Sequence, residues 1–315
     1  MPSSKGTAMT DAAGTIAGFG FCTDAVRPDL SNLDDQLARI EASGASHCEL
    51  SLYELDLIVG GRVLPERRRL LERICARRAL KYTVHGALTV NFMDEAHLDL
   101  HKAVCRAMLE LCDAVGASVM AHHPGKVPVA PAAQLERLHG IERAALRAMG
   151  EIAAGYGVRI AVENLFVEDA GSYTPDPARL ARELAAIDHP HVCGLLDFSH
   201  AYIMAQFHGT DYLATLEAFA PVVNHLHVHD SLGRPRTIGG FYRFAEQIAF
   251  GMGDLHLPMG WGDIPWQAIL PRLRFRAGTV MIVELLERHW AELEQCAATA
   301  RRFMDTINGA RAAAA

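Results

Sequence analysis

The chain has no run of about 18 apolar residues, the length a bilayer crossing requires, although 50% of its 315 residues are hydrophobic. With 21% of residues charged, this composition describes a globular protein without a membrane span. Positive charge is not in excess either. The net charge of −7 gives no general attraction to nucleic acid and argues against such a partner. The seven cysteines include no C-x-x-C pair and are odd in number, which excludes a regular disulfide framework and makes a reducing cytoplasm the expected compartment. Other signatures are missing too. There is no G-x-S-x-G elbow and no G-x-x-x-x-G-K-[ST] phosphate loop, and "GFGFC" lacks the third glycine and later acid of a dinucleotide site.

What is present is an alternation. Short Val-, Ile- and Leu-rich runs occur near Ala17–Phe21, His47–Leu52, Lys81–His85, Ser118–His123, Arg159–Glu163, Val192–Asp197, Val222–His229 and Thr279–Glu284. Between them, apolar residues recur every three or four positions over Leu33–Ala42, Pro65–Arg78, Asp94–Val115, Pro131–Tyr156, Pro177–Ile187, Asp211–Phe219, Pro265–Leu273 and Arg288–Ile307. Eight strand and helix pairs with no compositional break predict an α/β fold, a single (β/α)8 TIM barrel over residues 18–308; an open doubly wound sheet uses the same alternation. The Ser-, Thr-, Gly- and Ala-rich residues 1–17 read as a disordered leader and residues 309–315 as a flexible tail. One long irregular stretch, Ser231 to Gly262, follows the seventh strand. A connection of that length reads either as an active-site wall or lid, or as a surface excursion with its own apolar cluster.

The seventh strand carries "HLHVHD", with His225, His227 and His229 at every second position. Strand alternation points all three to one face. In a barrel, functional groups gather where strands end at the C-terminal rim, and six successive strands here end in metal-competent side chains. These are His85, then His122 and His123, Glu163, Asp197 with His200, the histidine run, and Glu284. One such residue is usually a hydrogen-bonded polar group; six converging on one rim are different, because unscreened Glu163, Asp197 and Glu284 would repel each other. A divalent cation removes the conflict, and imidazole with carboxylate suits Zn²⁺ or Mn²⁺. His122 should point away if His123 points in, by alternation. Asp197, Ser199 and His200 stand too close together to work as a hydrolase triad.

The fragments "VENL", "LLDFSHA", "HVHDS", "GDLHLPMGWGDI" and "IVEL", in this order at these strand ends, resemble the xylose-isomerase-like TIM-barrel superfamily. It contains metal-dependent sugar isomerases and epimerases as well as apurinic-site nucleases of the endonuclease IV type. The resemblance implies a metal held by Glu163, Asp197, His227 and Glu284. His227 is preferred over His229 because it stands three residues before Asp230; His229 then falls to substrate, and His225 to a buried, hydrogen-bonded role. The further ligand positions of the nuclease branch also have counterparts in His85, His123, His200, Asp254 and His256, so one metal is expected and up to three could bind. Two departures stand out: Leu88 occupies the place of the nuclease's wedging aromatic, and Trp261 stands where relatives often carry an acid.

The expected activity is isomerisation or epimerisation of a sugar, polyol or related hydroxy-ketone by proton transfer through an enediolate. Glu163 and Glu284 would serve as acid and base. Trp261 could stack on a sugar face, and Arg234, Arg236 or Arg243 could hold an anionic group, or simply be solvated. The alternatives are a multinuclear zinc phosphodiesterase and a non-catalytic carbohydrate-binding barrel. A small carbohydrate-like partner is expected, and self-association is left open.

Overall fold

The computed structural model describes residues 16–167 and 169–312. Eight strands enriched in Val, Ile and Leu close into a parallel barrel: β1 Ile16–Cys22, β2 His47–Ser51, β3 Lys81–His85, β4 Val119–His122, β5 Arg159–Glu163, β6 Val192–Asp197, β7 Val223–Val228 and β8 Thr279–Val283. Neighbours in sequence are neighbours in the sheet, and β1 closes it by pairing with β8 (Phe21 beside Val283) and with β2 (Phe21 beside Cys48). Closure decides between the two folds that share this alternation, and the barrel is the one present. No helix among the described residues is long and apolar enough to cross a membrane.

The outer layer consists of α1 Leu33–Ala42, α2 Pro65–Cys75, α3 Leu98–Val115, α4 Ala132–Tyr156, α5 Pro177–Ile187, α6 Phe198–His208, α7 Tyr212–Phe219, α8 Phe244–Phe250, α9 Trp266–Ile269 and α10 Leu293–Ala312. Starts and stops follow local chemistry. Asp176 caps α5 by accepting from the Arg179 N–H at 2.8 Å, and Gly116 and Gly157 close α3 and α4 with left-handed backbone. The main core lies between this layer and the barrel, and all seven cysteines are free and buried.

Several boundaries depart from the sequence reading. Helix α2 stops at Cys75, short of Arg78. Helices α3 and α10 begin at Leu98 and Leu293, each preceded by a 3-10 turn, and α9 gives way to one after Ile269. Ile16 and Ala17, expected in the leader, belong to β1, and the Ile16 N–H donates to the Asn308 side chain at 2.9 Å; the rest of the expected leader, residues 1–15, lies outside the described residues. At the other end α10 runs past Gly309 to Ala312. Two helices were not foreseen. Helix α6 is apolar on nearly every side, with Phe198, Ala201, Ile203, Met204 and Ala205 all buried, so it shows no stripe of period 3.6. Helix α8 interrupts the stretch read as irregular.

Inside the barrel, alternation sorts the side chains into layers. Val119, Ala121, Ala161, Cys193 and Leu195 form one small apolar cluster, and Cys22, Val280 and Ile282 another. The inward side chains of β2, β3 and β7 are polar instead, with Glu49, Thr83 and His225 fully buried and meeting across the interior. Gly20 makes room on this inner surface: a Cβ there would sit 2.2 Å from the His47 carbonyl oxygen. Above these layers lies the C-terminal rim.

Candidate metal centre

Parallel register places the rim residues side by side. Leu195 pairs with Glu163, Asp197 with His227, and His227 with Ile282, two residues before Glu284. Glu163 sits at the centre. Its Oε1 lies 3.0 Å from His200 Nδ1 and 3.5 Å from His227 Nδ1, and its Oε2 lies 3.5 Å from His85 Nε2 and 3.4 Å from His123 Nε2. Glu284 Oε1 approaches His227 Nδ1 from the other side at 3.3 Å. Asp197 does double duty: its Oδ1 caps α6 by accepting from the His200 N–H at 2.6 Å, and its Oδ2 faces His229 Nε2 at 3.1 Å. Asn164, of the "VENL" fragment, ties these strand ends together, since its side chain both accepts from the Asp197 N–H and donates to the Asp197 carbonyl, each at 2.9 Å.

The long connection after β7 contributes the remaining donors. Asp254 Oδ2 stands 2.7 Å from His256 Nε2 and 3.3 Å from His200 Nε2. His256 stacks on His229 with ring centroids 4.2 Å apart. Its backbone is left-handed, φ 45°, a conformation uncommon outside glycine and held here by the surrounding contacts. Asp230, which follows the histidine run, anchors the returning end of this connection: its carboxylate accepts from the Ser231 N–H at 3.0 Å and the Gly260 N–H at 2.7 Å, and its backbone pairs with Leu257. Gly262 packs so closely under it that a Cβ would meet Ser231 O at 2.2 Å.

All nine ligand-type residues read from the sequence are thus brought together, and His229 stands among them. His225 is fully buried and hydrogen-bonded, and His122 packs against Phe92 at 5.0 Å between ring centroids, turned from the rim as alternation requires. Trp261, Arg234 and Arg236 are placed elsewhere. Trp261 is half exposed and edge-on to His289, Arg234 donates to the Phe250 carbonyl, and Arg236 lies over Phe241. None of them, nor Arg243, lines the rim cavity of about 580 Å³, whose walls include Tyr53, Leu88, Lys126 and Phe166 above Glu163, His200 and Glu284. The connection from Ser231 to Gly262 therefore has both characters anticipated for it: Asp254 and His256 form a wall, while Phe241 and Phe250 pair in a cluster of their own.

Sequence reasoning missed Glu49. It lies at mid-strand rather than at a strand end, and its carboxylate reaches across the barrel to His225 Nε2 at 2.7 Å and His227 Nε2 at 2.8 Å, while the Thr83 hydroxyl donates to it at 2.9 Å. The signal was an acid of inward parity in "HCELS".

Charge is heavily concentrated here. Burial opposes ionisation of Glu163, but His227, His123 and His200 outweigh it and hold the carboxyl well below the usual range; His256 does the same for Asp254. Burial likewise opposes protonation of His227 and His200. Even so, Glu284, Glu49 and Glu163 raise His227 well above the ordinary imidazole value, and Asp197 with Asp254 raises His200. His256 is pushed up to about 10, burial being outweighed by Asp254. His123 and His225 go the other way, lowered by burial.

The residues fit a divalent cation. Glu163 Oε2, His227 Nδ1 and His229 Nδ1 are buried without a hydrogen-bond partner among the described residues, a costly state for polar atoms that a cation would relieve at the first two. Several sets of three donors lie close enough to share an ion, among them His85, His123 and Glu163; His85, His227 and Glu284; and Asp197, His200 and His229. His229, expected at the substrate, thus also belongs to a donor set.

Comparison with solved structures places this barrel among similar ones. A D-tagatose 3-epimerase-like protein is 18% identical, with 93% of this chain and 98% of that one covered at a TM-score of 0.66. An L-ribulose 3-epimerase is 16% identical over 94% and 96% (TM-score 0.62), and the IolI protein with a bound zinc atom 17% identical over 92% and 98% (TM-score 0.61). No curated protein matches the chain. The family model for the xylose isomerase-like TIM barrel matches residues 37–307, and the chain belongs to that family.

Proposed function

We propose that this protein is a divalent-metal-dependent isomerase or epimerase of a sugar, polyol or related hydroxy-ketone. The observation that carries the reading is the approach of two carboxylates to one nitrogen: Glu163 Oε1 and Glu284 Oε1 stand 3.5 and 3.3 Å from His227 Nδ1, and both residues line the rim cavity. Glu163, Asp197, His227 and Glu284 would hold the cation. Zn²⁺ or Mn²⁺ bound there supplies Lewis acidity, polarising a substrate carbonyl and acidifying the adjacent C–H.

The chain's own groups do the rest. Glu163, kept ionised by the imidazoles around it, accepts the proton on one face of the substrate carbon. Glu284 serves the opposite face, so a proton removed on one side can be returned on the other. His200, between Glu163 and Asp254, holds the Glu163 carboxylate in place. The names of the similar solved proteins, which include a D-tagatose 3-epimerase-like protein and an L-ribulose 3-epimerase, support a carbohydrate-like substrate.

The test is solvent deuterium entering a panel of ketoses with metal-loaded enzyme. Glu284→Gln should lower the exchange rate by about 10²–10⁴-fold; unchanged exchange removes Glu284 from proton transfer. A second reading, a multinuclear zinc phosphodiesterase, is favoured by the several adjacent donor sets. Three tightly held zinc ions together with incision of abasic-site DNA would replace the first reading with this one. Against it, among the described residues Lys126 is the one lysine or arginine lining the cavity, a thin basic surface for a phosphodiester backbone.

A further inference from the structure

We propose that Glu49 is a positioning residue that fixes which nitrogen of His227 faces the metal centre. This inference rests on the reading of His227 as a ligand and assigns a role to a residue outside the ligand set. Glu49 is fully buried at the middle of β2, below the rim, and makes no contact with the cavity. An ionised carboxylate only accepts hydrogen bonds. Its 2.8 Å contact with His227 Nε2 therefore requires a hydrogen on that nitrogen, and in the neutral ring this leaves the lone pair on Nδ1. Nδ1 is the atom that points between Glu163 and Glu284 and has no hydrogen-bond partner among the described residues. The tautomer and ring orientation a ligand needs are thus set from behind, by a carboxylate accepting from the nitrogen that does not ligate, as metal-binding histidines generally require.

The rest of the pocket holds Glu49 to this task. His225 Nε2 at 2.7 Å and the Thr83 hydroxyl at 2.9 Å both meet Oε2, which reserves Oε1 for His227. The same arrangement says what an isosteric amide would do. In Glu49→Gln, the two groups at the Oε2 position favour the amide oxygen there, so the NH2 falls opposite His227. It would donate to Nε2 and drive the ring hydrogen to Nδ1, into the path of the cation.

The experiment is zinc affinity by chelator competition on full-length metal-free protein, with imidazole ¹⁵N shifts on the zinc-loaded wild type. Glu49→Gln should bind zinc about 10–100-fold more weakly. Thr83→Val, which removes a hydrogen bond from the same pocket but leaves the charge opposite His227, should stay within about threefold. The wild-type spectrum should show His227 with a slowly exchanging Nε2–H and zinc on Nδ1. Glu49→Gln binding zinc as tightly as wild type, or Thr83→Val weakening it equally, overturns the positioning role while leaving the ligand reading intact. Zinc on Nε2 of His227 overturns it as well, and does so even if Glu49→Gln fails to fold. Wild type that binds no zinc, or binds it without His227, overturns the ligand reading itself.

Discussion

Metal uptake should be accompanied by proton release, and the number of protons released reports how many sites fill. Without a cation, His227 carries a proton near neutral pH because Glu284, Glu49 and Glu163 more than offset its burial. Ligation requires the neutral ring, so that proton must leave. Glu163 and Asp197 are held below the ordinary carboxylate range and have none to give. One ion at Glu163, Asp197, His227 and Glu284 should therefore release about one proton. Filling the adjacent donor sets would also discharge His200, raised well above the ordinary imidazole value, and His256, raised to about 10, for a total of about three.

The sign follows directly. A raised imidazole keeps its proton up to a higher pH, so proton competition weakens metal binding on the acid side and fades as pH passes the metal-free value of His227. Affinity should rise about tenfold per pH unit for each proton displaced, or about 1.4 kcal/mol. Calorimetric titration with zinc in buffers of different ionisation enthalpy measures both the count and the slope. Binding that releases no proton near neutral pH, with affinity flat from about pH 6 to about pH 8, would refute the claim that protons on these imidazoles stand where a cation belongs.

Two further outcomes can be checked. Asp230→Ala removes a buried acceptor from the Ser231 and Gly260 N–H groups and should cost about 2–4 kcal/mol in urea unfolding. It should also loosen metal binding through Asp254 and His256; a loss below about 1 kcal/mol would show that the connection is anchored elsewhere. Trp261→Ala should leave KM and kcat of the proposed reaction unchanged, since Trp261 stands outside the cavity wall. A KM raised by about tenfold, or about 1.4 kcal/mol, would place the indole at the substrate.

Much of the architecture was legible because barrel strands and amphipathic helices carry periodic signals. The inward parity of His225, His227 and His229, and the ending of six strands in ligand-type residues, could be read from spacing alone. What escaped lacked such a signal. Helix α6 is buried nearly all round, so no polar face marked its period. Helix α8, at the surface of a long connection, has seven residues and buries none of them, too short a segment for a 3.6-residue period to repeat.

By itself the sequence determined the strand count and the faces on which the strand residues stand, both consequences of alternation within single segments. Only the tertiary structure decided which nitrogen meets which oxygen. Glu49 reaches His227 from 178 residues away, and Trp261, close in sequence to Asp254 and His256, turns outward while they line the cavity. Local periodicity constrains direction; barrel closure and the stagger of its strands set distance, and no spacing within one strand encodes the gap across the cylinder.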